Sequence, residues 1–268
     1  MVATMSVSSD LEGSMFRSAF LAASVFAALL ASPAYADTIV LEADQWCPYT
    51  CEAGSDKPGF MIEVAKAAFE AKGHQVVYRS VPWARALDDV RRTGAAQGAV
   101  GATDSDRSES TVFHDEPLGR SANVFVTRAG DSWTFKDLSS LNGRTLGVIK
   151  DYTYGSPVDE WIAANGGAVQ AVAGDSPLEL NLTKLIAGRI DVVVDDAAVI
   201  AYEAAKTGVA NKLRTAGGTE PASVYIAFSK TGSGPQYAAI LSAGIIGLRA
   251  GGKLAAILAR YGVADWHH

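Results

Sequence analysis

The chain has 268 residues, enough for one large domain or for two lobes of roughly 100 residues each. Its 23 basic and 29 acidic side chains leave a net charge of −6 with no basic run, which argues against nucleic acid or an anionic membrane surface as partner. Two cysteines and four histidines lack metal-ligand spacing, and no metal or cofactor is expected.

From Met15 the chain reads Met-Phe-Arg, then an apolar stretch over 19–30, then Ser32-Pro33-Ala34-Tyr35-Ala36 before Asp37. One basic residue, an apolar core too short to span a bilayer and an Ala-x-Ala site describe a cleavable secretory signal over 1–36, cut after Ala36. Asp10 and Glu12 suit an upstream extension better than a signal's first segment, so Met15 is an alternative start. The exported protein is expected to be periplasmic and soluble, since no comparable apolar segment follows. Cys47 and Cys51 lie in Trp46-Cys-Pro-Tyr-Thr-Cys51. In an oxidising compartment they read as a disulfide closing a small loop, worth about 2 kcal/mol in the chain-entropy model, so its main effect is local shape.

Residues 38–43 form a β-rich run. The stretch 60–71 places Ile62, Ala65 and Phe69 on one face and Glu63, Lys66 and Glu70 opposite, an amphipathic helix ended by Gly73. A strand over 75–78, a helix over 82–92 with Pro82 in its first turn, and a strand over 99–102 follow. This β-α-β-α-β order predicts a parallel sheet with helices on both faces. The grammar then restarts, with a strand ending at Ile149, a helix over 154–165, a strand over 169–172, a helix over 178–187 and a strand over 190–194. A strand over 223–228 and helices over 237–248 and 253–261 complete the chain and need the first unit's sheet to pack on.

Four stretches together resemble the family-3 bacterial extracellular solute-binding proteins, the polar-amino-acid-binding components of ABC importers. They are Gly59-Phe-Met-Ile-Glu-Val-Ala65; Gly101-Ala-Thr-Asp-Ser-Asp-Arg107 leading to Phe113-His-Asp-Glu-Pro-Leu118; Leu141-Asn-Gly-Arg-Thr-Leu-Gly-Val-Ile149; and Leu185-Ile-Ala-Gly-Arg-Ile-Asp-Val-Val-Val-Asp195-Asp196. They occur in family order. The resemblance implies an α/β, type II periplasmic-binding-protein fold. Lobe 1 would comprise 37–126 and 226–268 and lobe 2 residues 127–225, joined by crossover strands near 124–127 and 224–228. The ligand would lie between them, in keeping with the rule that open α/β sheets bind beyond the carboxyl ends of their strands.

The resemblance places Arg107 where family members grip a ligand carboxylate with a bidentate guanidinium. Asp104 and Ala102 depart from the family's Thr and Ser or Thr there, and Asp104 or Asp106 could occupy the guanidinium instead. Asp196 matches the aspartate that receives the α-amino group, with helix capping or a hinge contact as the alternative. Asp195 is the lesser candidate, because side chains alternate along a strand. Thr153, with free N–H groups where the next helix opens, suits an anionic oxygen or a helix cap. Trp46, Tyr49, Trp83 and Tyr152 would give the cleft aromatic walls. Trp83 and Arg85 are two apart on one helix, so at most one of them points into the cleft.

The expected function is capture of a small polar solute, an amino acid or related compound, by a monomer that delivers it to an ABC permease in the inner membrane, without chemistry. Two alternatives remain: a dehydratase-like enzyme on the same fold, and a ligand carrier for a membrane sensor.

Overall fold

In the computed structural model, which describes residues 1–3, 37–174 and 176–267, the alternating runs fold into two sheets within the unit Asp37–His268. The expected export signal, whose apolar core and cleavage site fall within 4–36, lies outside the described residues. Among the described residues, no single helix is long and apolar enough to cross a membrane.

The first sheet holds β1 (Thr38–Ala43), β2 (Gln75–Ser80), β3 (Gly98–Ala102), β4 (Thr111–Phe113), β5 (Gly119–Ser121) and β11 (Ala222–Ser229), in the order β2-β1-β3-β11-β4, with β5 also paired to β11. The second holds β6 (Asn123–Arg128), β7 (Leu146–Ile149), β8 (Val169–Val172), β9 (Val192–Asp196) and β10 (Leu213–Gly218), in the order β10-β6-β9-β7-β8. The central strand of each unit pairs in parallel with its neighbours, β1 with β2 and β3, and β7 with β8 and β9. The crossovers are helical: α1 (Phe60–Glu70) and α2 (Trp83–Asp88) in the first unit, α3 (Ser156–Ala164) and α4 (Pro177–Ile186) in the second. Helices α5 (Ala197–Lys206), α6 (Gly234–Ala250) and α7 (Lys253–Ala259) complete the unit.

The three strands of each β-α-β-α-β run are parallel, as expected, and each sheet becomes mixed where further strands join it. Strands β11 and β6 run antiparallel to their partners, because each enters from the other sheet and not through a crossover helix. The chain passes between the sheets at Ala122 and returns through 219–221. The boundaries expected at 126/127 and 225/226 therefore fall inside β6 and β11.

Local chemistry explains most element ends. The first N–H groups of α1 donate to the disulfide loop, Phe60 to Pro48 O at 3.0 Å and Met61 to Tyr49 O at 3.2 Å. Orphan helix donors are thereby satisfied while the loop is anchored. Helix α2 ends at Asp88 and widens into a π-helical turn, Asp89–Thr93, that Gly94 closes at φ 70°. Helix α3 begins two residues later than its apolar pattern suggests. The Tyr154 hydroxyl accepts from Ile149 N at 2.7 Å, which seats that ring in the core, and Gly155 at φ 92° turns the chain before the first helical residue. Strands β4, β5 and β10 and helix α5 lie outside the sequence pattern. Three-residue strands carry too little periodicity to read.

Candidate functional site

A cavity of about 800 Å³ is lined from both sheets. Its walls come largely from beyond the carboxyl ends of the strands: Asp44 and Trp46 after β1, the turn 103–106 after β3, and 152–155 after β7. Asp195, near the end of β9, also lines it, and Trp83 and Phe135 add aromatic surface.

Hydrogen bonds between the two sheets' segments frame this space. The Tyr152 phenol donates to Asp44 Oδ2, and Trp46 Nε1 donates to Asp195 Oδ1 at 3.2 Å. The Tyr49 hydroxyl lies 2.8 Å from Arg120 O and 3.1 Å from Asp196 Oδ2, with one proton to share between them. Burial pushes the Asp44 carboxyl up to about 6, partly offset by the Tyr152 phenol and a backbone N–H. It pushes Asp195 up to about 7, with the nearby Asp196 and Asp44 charges adding to the effect and the Asp196 N–H and Trp46 indole opposing it. Burial also raises the Tyr152 phenol well above its ordinary value, so it remains a donor.

Of the aromatic residues read from the sequence, Trp46, Trp83 and Tyr152 line the cavity. Tyr49 does not: it stacks under Trp46 with ring centroids 4.1 Å apart. Cys47 and Cys51 are joined and hold the loop that carries both rings. Trp83 is 8 % exposed, whereas the Arg85 side chain points to solvent and pairs with Asp89 at 3.3 Å. Only one of that helical pair reaches the cavity.

Two expected contacts are redirected. Asp196 does not line the cavity; it is the N-cap of α5, with Oδ1 accepting from Ala198 N at 2.7 Å and Val199 N at 3.1 Å. Its Oδ2 accepts from Ala122 N at 3.0 Å, which ties the cap to the point where the chain changes sheets. Arg107 lies outside the cavity as well, held by Asp104 at 2.7 Å with its guanidinium 4.3 Å from the Phe113 ring centroid. Thr153 lines the cavity but caps nothing, because Gly155 occupies the cap position of α3. The chain's own Asp159 places a carboxylate against that helix start, accepting from Tyr154 N at 2.8 Å.

Asp44 is the main residue the motifs passed over. Its signal was positional, an acid immediately after the first strand of an open sheet. The 103–106 turn lines the cavity as a capping box in which Asp106 Oδ2 accepts from Thr103 N and Oγ1 at 2.9 and 3.1 Å. His114 is buried and does not line the cavity. Its Nδ1 sits 2.6 Å from Glu116 O and its Nε2 accepts from Ile226 N at 2.9 Å. Burial lowers it to about 4, so it is a neutral strut.

No family model and no curated protein sequence matches the chain. Solved structures do. A histidine kinase sensor domain with similarity to periplasmic binding proteins matches at 22 % identity and TM-score 0.70, over 84 % of this chain and 95 % of that one. The arginine-, lysine-, histidine-binding protein ArtJ from Geobacillus stearothermophilus matches at 19 % identity and TM-score 0.70, over 85 % and 97 %. An ancestral amino acid-binding protein, a precursor of cyclohexadienyl dehydratase, matches at 17 % identity and TM-score 0.66, over 84 % and 95 %. The chain has the type II periplasmic-binding-protein fold.

Proposed function

We propose that this chain is an exported binding protein that takes a small polar solute into the cavity between its two sheets and presents it, unreacted, to a membrane partner. The observation that carries this reading is the cavity itself, large enough for a small organic molecule and walled by residues of both sheets. Each sheet with its helices would act as one lobe, hinged at Ala122 and at 219–221. The Tyr152–Asp44 and Trp46–Asp195 bonds would form late in closure. The protein would leave the cytoplasm on the signal over 1–36, act as a monomer in the periplasm, and dock on an ABC permease.

Thermal-shift screening of a broad solute library, followed by calorimetry on each hit, tests the reading. Micromolar or tighter binding of a single chemical class supports it; turnover of the bound compound in product assays would replace it with the enzyme reading. The likeness to a kinase sensor domain favours one second reading, delivery to a receptor. Pull-down with solubilised permease against receptor ectodomain separates the two partners.

A further inference from the structure

Six acidic residues line the cavity, namely Asp44, Asp104, Asp106, Asp137, Asp195 and Glu220, and among the described residues no lysine, arginine or histidine does. Three of the six are committed locally. Asp104 holds Arg107, Asp106 closes the capping box with Thr103, and Asp137 accepts from Ser139 Oγ at 2.5 Å and Ser140 N at 3.3 Å. The others keep free capacity. Glu220 is exposed at the rim, and Asp44 receives the Tyr152 phenol on one oxygen.

Asp195 is the informative one. It is 2 % exposed. Its Oδ1 accepts from Trp46 Nε1 and from Asp196 N, yet its Oδ2 is buried with no hydrogen-bond partner among the described residues. A buried carboxylate oxygen left unpaired is costly, and a donor from a molecule bound in either cavity that Asp195 lines, this one or a smaller one of about 270 Å³, would offset that cost. The aromatic side chains of Trp46, Trp83 and Tyr152 line the same cavity, and aromatic walls favour a cation where a ring face meets it. A quaternary ammonium would satisfy the rings but has no N–H for Asp195.

A ligand carboxylate finds the opposite. Arg107 is outside the cavity and engaged, and the Asp159 carboxylate already lies in the first turn of α3. Two like charges 4 Å apart repel by about 4 kcal/mol at an effective dielectric of 20, and nothing cationic in this wall offsets that.

We infer that the cavity takes an organic cation bearing N–H groups and lacking a carboxylate, an alkylamine, diamine or guanidine, with Asp195 Oδ2 as its principal acceptor and Asp44 beside it. This rests on the reading of the cavity as a solute site and departs from the amino acid expected from the sequence.

Matched pairs decide it. Calorimetry compares arginine with its decarboxylated form agmatine, and lysine with 1,5-diaminopentane, alongside tetramethylammonium, glutamate and the wider library. The expected result is that a decarboxylated member binds at least tenfold more tightly than its parent amino acid and than tetramethylammonium. Asp195→Asn then weakens it at least tenfold, with circular dichroism unchanged; Glu220→Gln at the exposed rim gives a smaller loss in the same direction. Amino acids binding as tightly as their decarboxylated forms would overturn the inference. So would a neutral or anionic ligand found in the library, or an unaffected Asp195→Asn, and in each of these cases solute capture itself survives. Absence of binding by every compound in the library removes both readings.

Discussion

Asp195 and Asp44 are acids whose folded-state values lie above the unfolded value of about 3.9. Such a group favours the fold when protonated: its contribution is complete below pH 4 and is lost as pH rises through its folded value. For Asp195 that loss runs to about pH 7. His114, lowered to about 4, acts in the opposite direction between pH 4 and about 6.5, so the aspartate effect is best read as a difference. Urea denaturation should find Asp195→Asn gaining stability relative to the parent chain as pH is raised from 5 to 8. A difference independent of pH would show that Asp195 does not titrate in this window. At Tyr49 the effect is simpler. Tyr49→Phe leaves Arg120 O and one contact of Asp196 without the phenol, and should cost about 1–2 kcal/mol in the same assay.

At the scale of elements, two close approaches matter. Helices α1 and α6 meet where Gly244 faces Ala68, and a Cβ at Gly244 would fall 2.4 Å from the Ala68 Cβ. Neither methyl can rotate away, so Gly244→Ala should destabilise by about 1–3 kcal/mol as overpacking, seen as a lowered denaturation midpoint with unchanged slope. The disulfide loop rests on Gly59 in the same manner, with Tyr49 O 2.2 Å from where a Cβ would stand and φ at 108°. That loop carries Trp46 to the cavity wall. Replacing both cysteines by serine should therefore lower ligand affinity while costing only about 2 kcal/mol of stability, checked by calorimetry and denaturation on one preparation.

For the whole molecule, the bonds between the two sheets' segments predict a measurable shape change. The double variant Trp46→Phe, Tyr152→Phe keeps an aromatic ring at each position but removes the donors to Asp195 and Asp44. Small-angle scattering should give it a larger radius of gyration than the parent without ligand, with the difference narrowing when ligand is added. Equal radii in both states would mean that these bonds do not hold the halves together. The α/β architecture and the order of most strands and helices were legible along the chain, because hydrophobic period and turn residues are local properties. Strand alternation along β9 likewise indicated that one of Asp195 and Asp196 faces the ligand. It could not say which, because that depends on α5 starting at Ala197 and taking Asp196 as its cap. The assembly of an acidic wall from residues as distant as Asp44 and Glu220 and the unpaired oxygen of Asp195 belong to the tertiary structure alone. Charge and hydrogen bonding act through space, and only the folded chain sets which groups meet and which remain without a partner.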